Sequence, residues 1–173
     1  MNIFIMRHGD ASEVATNDSL RPLTQSGIEE VKICAHWLES QPAKIDLILV
    51  SPYVRAQQSA DELEQALSYP VERDTLDILI PAGKATQVHD FIDGLLSEQP
   101  TINVLLVSHM PLVSYLTAVL THDHQMPIYP TAGTAQIDYN PELMHGSLVD
   151  FLCPEDSPVI SQGESSCMQS HKI

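Results

Sequence analysis

Asn-Ile-Phe-Ile-Met, at residues 2–6, is a short apolar run whose β-branched and aromatic side chains favour a β-strand. The run does not alternate between apolar and polar residues, which indicates a strand that is covered on both faces. Residues 45–50 (Ile-Asp-Leu-Ile-Leu-Val) and 102–107 (Ile-Asn-Val-Leu-Leu-Val) have the same character. Segments with helical spacing separate these runs, so we predict an α/β three-layer sandwich in which helices flank a mostly parallel central sheet.

Capping and helix-breaking residues mark where the predicted helices begin and end. Thr24 is a good N-cap for a helix that Pro42 closes, and Ser51-Pro52 has the pattern of an N-cap followed by proline at the first helical position. The other predicted elements are a short strand at 76–79, an amphipathic helix through Val88 and Leu96, a helix over 111–120, and antiparallel C-terminal strands at 132–139 and 147–152.

The length of the chain, 173 residues, is typical of one folding unit, and we expect residues 1–153 to form a single domain. Residues 154–173 are acidic and rich in serine, and we expect them to form a flexible tail. No apolar run approaches the roughly 20 residues that a membrane-spanning helix needs. The start of the chain lacks the pattern of a secretory signal, because Arg7 follows the short apolar run, so we expect a cytoplasmic protein.

The charge of the chain is strongly negative, with 8 Lys and Arg against 23 Asp and Glu and a formal net charge of −15. This balance argues against nucleic acid as a partner, because phosphate backbones need a basic surface. It also argues against binding to an anionic membrane surface. Cations are scarce in this chain, so the positions of its few arginines are informative.

Unusual residues follow three of the predicted strands, at the edge of the sheet where ligands bind in α/β folds. The exits carry Arg7-His8-Gly9, Ser51 with Arg55 beyond it, and Ser108-His109. A cluster of cations here needs an anion to hold it together, and Arg55 stands in the first turn of its helix, where the positive end of the macrodipole disfavours a cation. The alternatives are that each histidine is structural and that Arg55 pairs with Asp61 or Glu62.

Four motifs in this order resemble those of the histidine phosphatase superfamily, the group that includes the phosphoglycerate mutases. Arg7-His8-Gly9 is similar to the family signature, and the segment from Pro22 to Gly27 is similar to the segment that follows it. Ser51-Pro52 with Arg55-Ala56 and Ser59-Ala60 resembles the second motif, and Val107-Ser108-His109 resembles the third. The short length and the stretches 6–11 and 21–24 look most like the SixA-type phosphohistidine phosphatases.

The resemblance implies a metal-free and cofactor-free phosphatase in which His8 is the nucleophile. Arg7, Arg55 and His109 would bind the phosphoryl group, and Arg21 is a further candidate that could instead be a surface charge. A neutral imidazole can attack phosphorus, and forked guanidinium donors suit phosphoryl oxygens. The attacking ring needs an acceptor for its other N–H group, and the carbonyl group of Gly9 is a candidate.

The sequence departs from many members of this superfamily because no carboxylic acid stands in a recognisable position to protonate the leaving oxygen. Imidazole has a pKa of about 6.5 and can leave without such a donor, whereas an alkoxide is far more basic. The departure therefore favours a substrate with a phosphorus–nitrogen bond. The carboxylates considered, each more typical of a solvated charge, are Glu72, Asp74 and Asp77 and, in the first loop, Asp10, Glu13 and Asp18.

The predicted function is hydrolysis of phosphohistidine on a protein, such as a phosphotransfer domain or a phosphocarrier of signal transduction. One alternative is a small-molecule phosphomonoesterase or mutase with the same centre. The chain has no sizeable insertion that would form a lid over a small substrate, which counts against this alternative. Another alternative is a binding module that captures a phosphorylated partner without turnover.

Overall fold

The computed structural model describes residues 1–156. Ten main elements follow one another along the chain as predicted for an α/β fold. They are β1 (Asn2–Arg7), α1 (Gln25–Ser40), β2 (Leu47–Val50), α2 (Val54–Ala66), β3 (Glu72–Thr75), α3 (Ala85–Glu98), β4 (Val104–Ser108), α4 (Leu112–Leu120), β5 (Thr134–Asn140) and β6 (His145–Leu152). Three short 3₁₀ turns, at Asp18–Leu20, Asp77–Leu79 and Pro154–Asp156, complete the described part.

The strands form one six-stranded sheet in the order β3-β2-β4-β1-β5-β6. The first four strands in this order are parallel to one another. β5 pairs with β1 in the antiparallel direction, and β6 pairs with β5 in the antiparallel direction. The mostly parallel sheet and its antiparallel C-terminal pair were both predicted from the sequence, and both predictions are confirmed. Since β2, β4 and β1 are adjacent and parallel, their carboxyl ends lie side by side at one edge of the sheet.

Helices cover both faces of the sheet, which explains why the central strands are apolar without alternation. Ile3 and Ile5 of β1 are fully buried on the face that α3 and α4 cover. Phe4 and Met6 are fully buried on the opposite face, against α1 and α2. The result is the predicted three-layer sandwich, in which β1 and β4 are central and rigidly held.

Two local predictions are wrong. The strand predicted at 76–79 is a 3₁₀ turn, and the strand β3 lies just before it, where its polar residues pair with β2. The apolar side chain of Leu79 is buried in the core instead of extending the sheet. Ser51 is not the N-cap of α2, because Tyr53 occupies that position and the hydroxyl group of Ser51 contacts His109.

The first three residues of the predicted C-terminal tail form the 3₁₀ turn at Pro154–Asp156, and Pro154 is buried. Residues 157–173 of that predicted tail lie outside the described residues. Within residues 1–156, no helix combines the length and the apolar character that crossing a membrane requires.

Candidate active site

The two histidines of the motifs meet at the carboxyl ends of β1 and β4. Arg7 pairs with Ser108 in the register of these parallel strands, so His8 and His109 leave the sheet at the same level. Their ring centroids are 5.0 Å apart. The side chains of both histidines are buried, with 7% of His8 and 1% of His109 exposed. The fold therefore brings together two imidazoles from positions about a hundred residues apart in the sequence.

Hydrogen bonds fix the tautomer of His8. Its Nδ1 lies 2.7 Å from the carbonyl oxygen of Gly9, which can only accept, so Nδ1 carries the proton. The Nε–H group of Arg55 donates to Nε2 of His8 over 3.1 Å, so this second nitrogen holds the lone pair. Burial lowers the pKa of His8 to about 4, and the positive charge of Arg55 lowers it as well. The hydrogen bond to the carbonyl group of Gly9 raises the pKa but does not outweigh these effects. At neutral pH the ring is therefore uncharged, and a neutral imidazole nitrogen that holds a lone pair can act as a nucleophile.

Arg55 stands in the first turn of α2, as predicted, and only 4% of it is exposed. Its guanidinium group donates to His8 and also to Asp18, where it reaches both the backbone carbonyl oxygen and, over 3.0 Å, the carboxylate oxygen Oδ2. The guanidinium carbon lies 5.0 Å from the ring centroid of Tyr53, which also contacts the ring of His109. Arg55 is thus held in place from three sides.

The alternative in which Arg55 pairs with its own helix surface is wrong. Asp61 binds Arg73 instead, over 2.6 Å. The sequence predicts that an anion lies beside Arg55, because a cation is unfavourable in the first turn of a helix. Among the described residues, the carboxylate of Asp18 is such an anion.

Arg7 and His109 each present a buried polar nitrogen that has no hydrogen-bond partner among residues 1–156: Nε of Arg7 and Nδ1 of His109. Other atoms of the same side chains are engaged. Nη1 of Arg7 donates to the carbonyl oxygen of Tyr129 over 2.8 Å, and Nε2 of His109 lies 2.7 Å from the hydroxyl oxygen of Ser51. A buried donor without a partner costs free energy, and an anion with several acceptor oxygens relieves that cost.

The protonation state of His109 follows from its surroundings. Burial lowers its pKa to about 2, and the neighbouring His8 and the positive charge of Arg55 act in the same direction. His109 is therefore neutral in the free protein. A phosphoryl dianion beside the ring would supply the opposite charge that favours protonation, so the predicted extra positive donor requires the bound anion.

Arg21 lies at the wall of the site and does not contact either histidine among the described contacts. Its Nε donates to the carbonyl oxygen of Ser12 over 2.7 Å, and its Nη2 donates to that of Ala11 over 3.2 Å. Its Nη1 lies 3.2 Å from the carboxylate of Asp18. Arg21 therefore shapes the first loop, and its charge reaches His8 only over a distance, where it lowers the pKa of that ring after the larger effect of burial.

Of the carboxylates considered as proton donors, Asp18 is the one that contacts the arginines of the site. Asp10 accepts from the hydroxyl group of Thr24, the N-cap of α1, and so supports the start of that helix. The other three candidates are exposed and lie in the edge strand β3 or just after it: Glu72, Asp74 and Asp77. The expectation that Asp18 is a solvated charge does not account for its ion pairs with Arg21 and Arg55. Its spacing of three residues from Arg21 was the sequence feature that indicated one of these pairs.

Two buried serines contact the site, although neither of them was assigned a role in it from the sequence. The hydroxyl group of Ser59 accepts from the backbone N–H of Gly9 over 3.1 Å and donates to the carbonyl oxygen of Arg55 over 2.7 Å. The hydroxyl group of Ser51 contacts the ring of His109. Both serines stand in the second motif, which was the signal that marked them.

The chemistry that this arrangement can perform is limited by its groups. Residues 1–156 contain no group of three or more His, Cys, Asp or Glu side chains placed to hold a metal ion. The neutral imidazole of His8 has its lone pair on Nε2, where it accepts a hydrogen bond from Arg55, and the charges of Arg7 and Arg21 also act on the ring. A neutral imidazole can act as a nucleophile, and guanidinium groups around it can bind a tetrahedral oxyanion.

Comparisons with known proteins agree with this geometry. Residues 3–76 match the sequence profile of the "Histidine phosphatase superfamily (branch 1)". Phosphohistidine phosphatase SixA of Escherichia coli (strain K12) is 39% identical over 137 residues, which are 79% of this chain and 84% of that protein. The phosphohistidine phosphatase SixA homolog of Haemophilus influenzae is 37% identical over 169 residues, which are 92% of this chain and 98% of the homolog.

A solved structure agrees as well. The protein histidine phosphatase SixA complexed with tungstate has a TM-score of 0.84 to this chain at 36% identity, over 89% of this chain and 97% of that one. The resemblance stated from the motifs is therefore confirmed. The chain belongs to the histidine phosphatase superfamily, among its SixA-type members.

Proposed function

We propose that this protein is a phosphohistidine phosphatase that hydrolyses phosphohistidine on another protein, a phosphotransfer domain or a phosphocarrier. The observation that carries the proposal is the state of His8, which is neutral, has its lone pair on Nε2 and is held by Arg55. Two relatives with more than a third of their residues identical are named phosphohistidine phosphatases. A solved structure of a protein histidine phosphatase SixA is a complex with tungstate, a tetrahedral oxyanion like phosphate.

In the first step, Nε2 of His8 attacks the phosphorus atom and the bond between phosphorus and the substrate nitrogen breaks. The electron pair of that bond stays on the leaving imidazole. Arg7, Arg55 and His109 bind the three equatorial oxygens, whose charge the fixed guanidinium groups stabilise. The unpartnered Nε of Arg7 is a donor available for this purpose, and Nδ1 of His109 is a second one when that nitrogen carries a proton.

In the second step, water attacks the phosphorus atom of the phosphorylated His8 and the ring leaves. The proton on Nδ1 of His8, held on the carbonyl oxygen of Gly9, makes the ring a neutral leaving group once the bond to Nε2 has broken. The same hydrogen bond thus serves both steps, because it leaves the lone pair on Nε2 for the attack and lets His8 leave as a neutral imidazole in the second step.

The decisive experiment replaces the nucleophile. We expect His8→Ala to abolish both the hydrolysis of a phosphohistidine protein and the phosphoenzyme that is trapped by rapid acid quench with a radiolabelled phosphoryl donor. His36→Ala, which removes an exposed histidine of α1, is the matched control and should retain both. Full activity of the His8→Ala variant would refute the assignment.

The alternative of a small-molecule phosphomonoesterase or mutase uses the same centre. The connection between β3 and α3 is short, and it contributes one 3₁₀ turn and no helix that would form a lid. Comparing kcat/KM for a phosphohistidine protein with kcat/KM for sugar phosphates distinguishes the two functions. A pure binding module would retain phosphate affinity and turn over no phosphate ester at all.

The expected location of this protein is the cytoplasm.

A further inference from the structure

The carboxylate of Asp18 lies between two guanidinium groups at the candidate active site. Its Oδ2 lies 3.0 Å from Nη2 of Arg55, and its Oδ1 lies 3.2 Å from Nη1 of Arg21. The backbone carbonyl oxygen of Asp18 accepts a further bond from Arg55. The turn that carries Asp18 is itself capped by Asn17, whose side chain accepts from the N–H group of Ser19. The position of this carboxylate is therefore fixed by the fold.

The carboxylate retains capacity to accept more hydrogen bonds. An ionised carboxylate offers about four acceptor sites, and the two arginines use one on each oxygen. More than half of the side chain, 55%, is exposed, although its partner Arg55 is buried. The free acceptor sites of Asp18 are thus accessible from solvent, beside a guanidinium group that contacts His8.

Asp18 cannot serve as the missing proton donor. Partial burial raises the pKa of its carboxyl group, but the hydrogen bonds and charges of Arg55 and Arg21 outweigh that effect and hold the pKa below its usual value. At neutral pH the group is an anion with no proton to give. An anion close to a phosphoryl dianion is repulsive, so its presence calls for a compensating interaction with some other part of the substrate.

One guanidinium group separates this anion from the nucleophile. Arg55 donates from Nε to Nε2 of His8 and from Nη2 to Asp18. A phosphoryl group that is attacked in line by His8 and bound by Arg55 has its leaving group on the side away from His8. The leaving group is thus the part of the substrate that can meet the free oxygens of Asp18.

We propose that Asp18 is a specificity-determining residue that accepts a hydrogen bond from the N–H group of the protonated phosphoimidazole and so selects substrates with a phosphorus–nitrogen bond. This inference rests on the proposed function. The protonated ring carries its proton on the nitrogen that does not bind phosphorus. When His8 attacks, the phosphorus–nitrogen bond breaks, its electron pair goes to the ring nitrogen, and the ring leaves neutral with that N–H intact. No external acid takes part.

The same contact disfavours phosphate esters. The leaving group of a sugar phosphate or of a phosphoserine residue has no cationic ring N–H group, and its alkoxide needs a proton that ionised Asp18 cannot supply. For such substrates the carboxylate contributes only repulsion of the phosphoryl charge. The preference for nitrogen as the leaving atom therefore has a structural cause in the first loop.

The test compares Asp18→Asn with wild type on two substrates, phosphohistidine and p-nitrophenyl phosphate, each corrected for spontaneous hydrolysis. Loss of a charge-assisted hydrogen bond should lower the ratio of kcat/KM for phosphohistidine to kcat/KM for the ester by about 10- to 100-fold. Inorganic phosphate should bind the variant more tightly, because one negative charge is gone. Glu13→Gln, in an exposed carboxylate of the same loop, is the matched control and should keep the wild-type ratio.

The outcomes separate the two proposals. An unchanged ratio, or an equal loss on both substrates with weaker phosphate binding, overturns the role of Asp18 and assigns it to holding Arg55. Wild-type protein that hydrolyses the ester but not phosphohistidine overturns the proposed function and, with it, this inference. Asp18→Ser, which also removes the charge, is read in the same way if Asp18→Asn fails to fold.

Discussion

The two buried histidines should make the stability of the free protein fall as the pH is lowered from 7.5 to 5.0. An unfolded histidine has a pKa of about 6.5, whereas burial lowers that of His8 to about 4 and that of His109 to about 2. Between these values the unfolded chain binds more protons than the folded chain. Stability is therefore present in full above the unfolded pKa and is lost as the pH falls toward the folded values.

The size of this effect follows from the same values. At pH 5.0 each unfolded imidazole lies roughly 1.5 pH units below its pKa, so each histidine costs about 2 kcal/mol of stability. Together they cost about 4 kcal/mol, which is a large part of the roughly 5–15 kcal/mol that is usual for the free energy of unfolding of a domain. A loss of this size should shift the midpoint of denaturant unfolding measurably.

Urea denaturation at the two pH values, for wild type and for the double variant His8→Asn/His109→Asn, measures this difference. The double variant should lose most of the pH dependence. His36→Asn, which removes an exposed histidine of α1, should retain the wild-type dependence. If the double variant loses as much stability as wild type between pH 7.5 and 5.0, the two rings are not held neutral by burial and the account of the nucleophile is wrong.

Three further predictions concern the packing of the site and its surroundings. Gly27→Ala should cost about 1–3 kcal/mol, because a Cβ atom there would lie 2.1 Å from the carbonyl oxygen of Asp10; an unchanged midpoint of chemical denaturation would contradict this. Ser59→Ala should lower kcat and cost about 1–3 kcal/mol, because Gly9 loses the partner of its buried N–H group; steady-state kinetics identical to wild type would count against it. Hydrolysis of an acidic phosphohistidine protein should speed up as salt is raised to about 0.1 M, because the net charge of −15 repels it; kcat/KM that is flat with salt would exclude this.

The distribution of charge explains how an acidic protein can bind an anionic group. Three of its four arginines, Arg7, Arg21 and Arg55, surround the candidate site, and the fourth, Arg73, pairs with acidic side chains of α2. Nearly all of the excess negative charge therefore lies elsewhere in the sequence. The guanidinium groups of the site are a local feature, since fields from exposed charges decay within about 10 Å at 0.1 M salt.

The sequence by itself determined the layers of the fold and the residues of the motifs. Continuous apolar runs such as residues 2–6 predict strands covered on both faces, because successive side chains point to opposite faces and apolar side chains on either face must be removed from water. The N-cap at Thr24 was also readable, because a cap depends on residues within one helical turn, and its hydroxyl group accepts from the N–H group of Gly27. Local composition and spacing are enough for these features.

Only the tertiary structure decided the partners and the protonation states. The bond between Arg55 and Asp18 spans 37 positions and that between His109 and Ser51 spans 58, and no local pattern distinguishes these partners from other acidic or hydroxyl residues. The neutral state of His8 likewise follows from burial, which is set by the packing of the whole domain. The sequence specifies which types of residue are at the site. Their hydrogen-bond geometry and their desolvation arise only when distant segments have folded together.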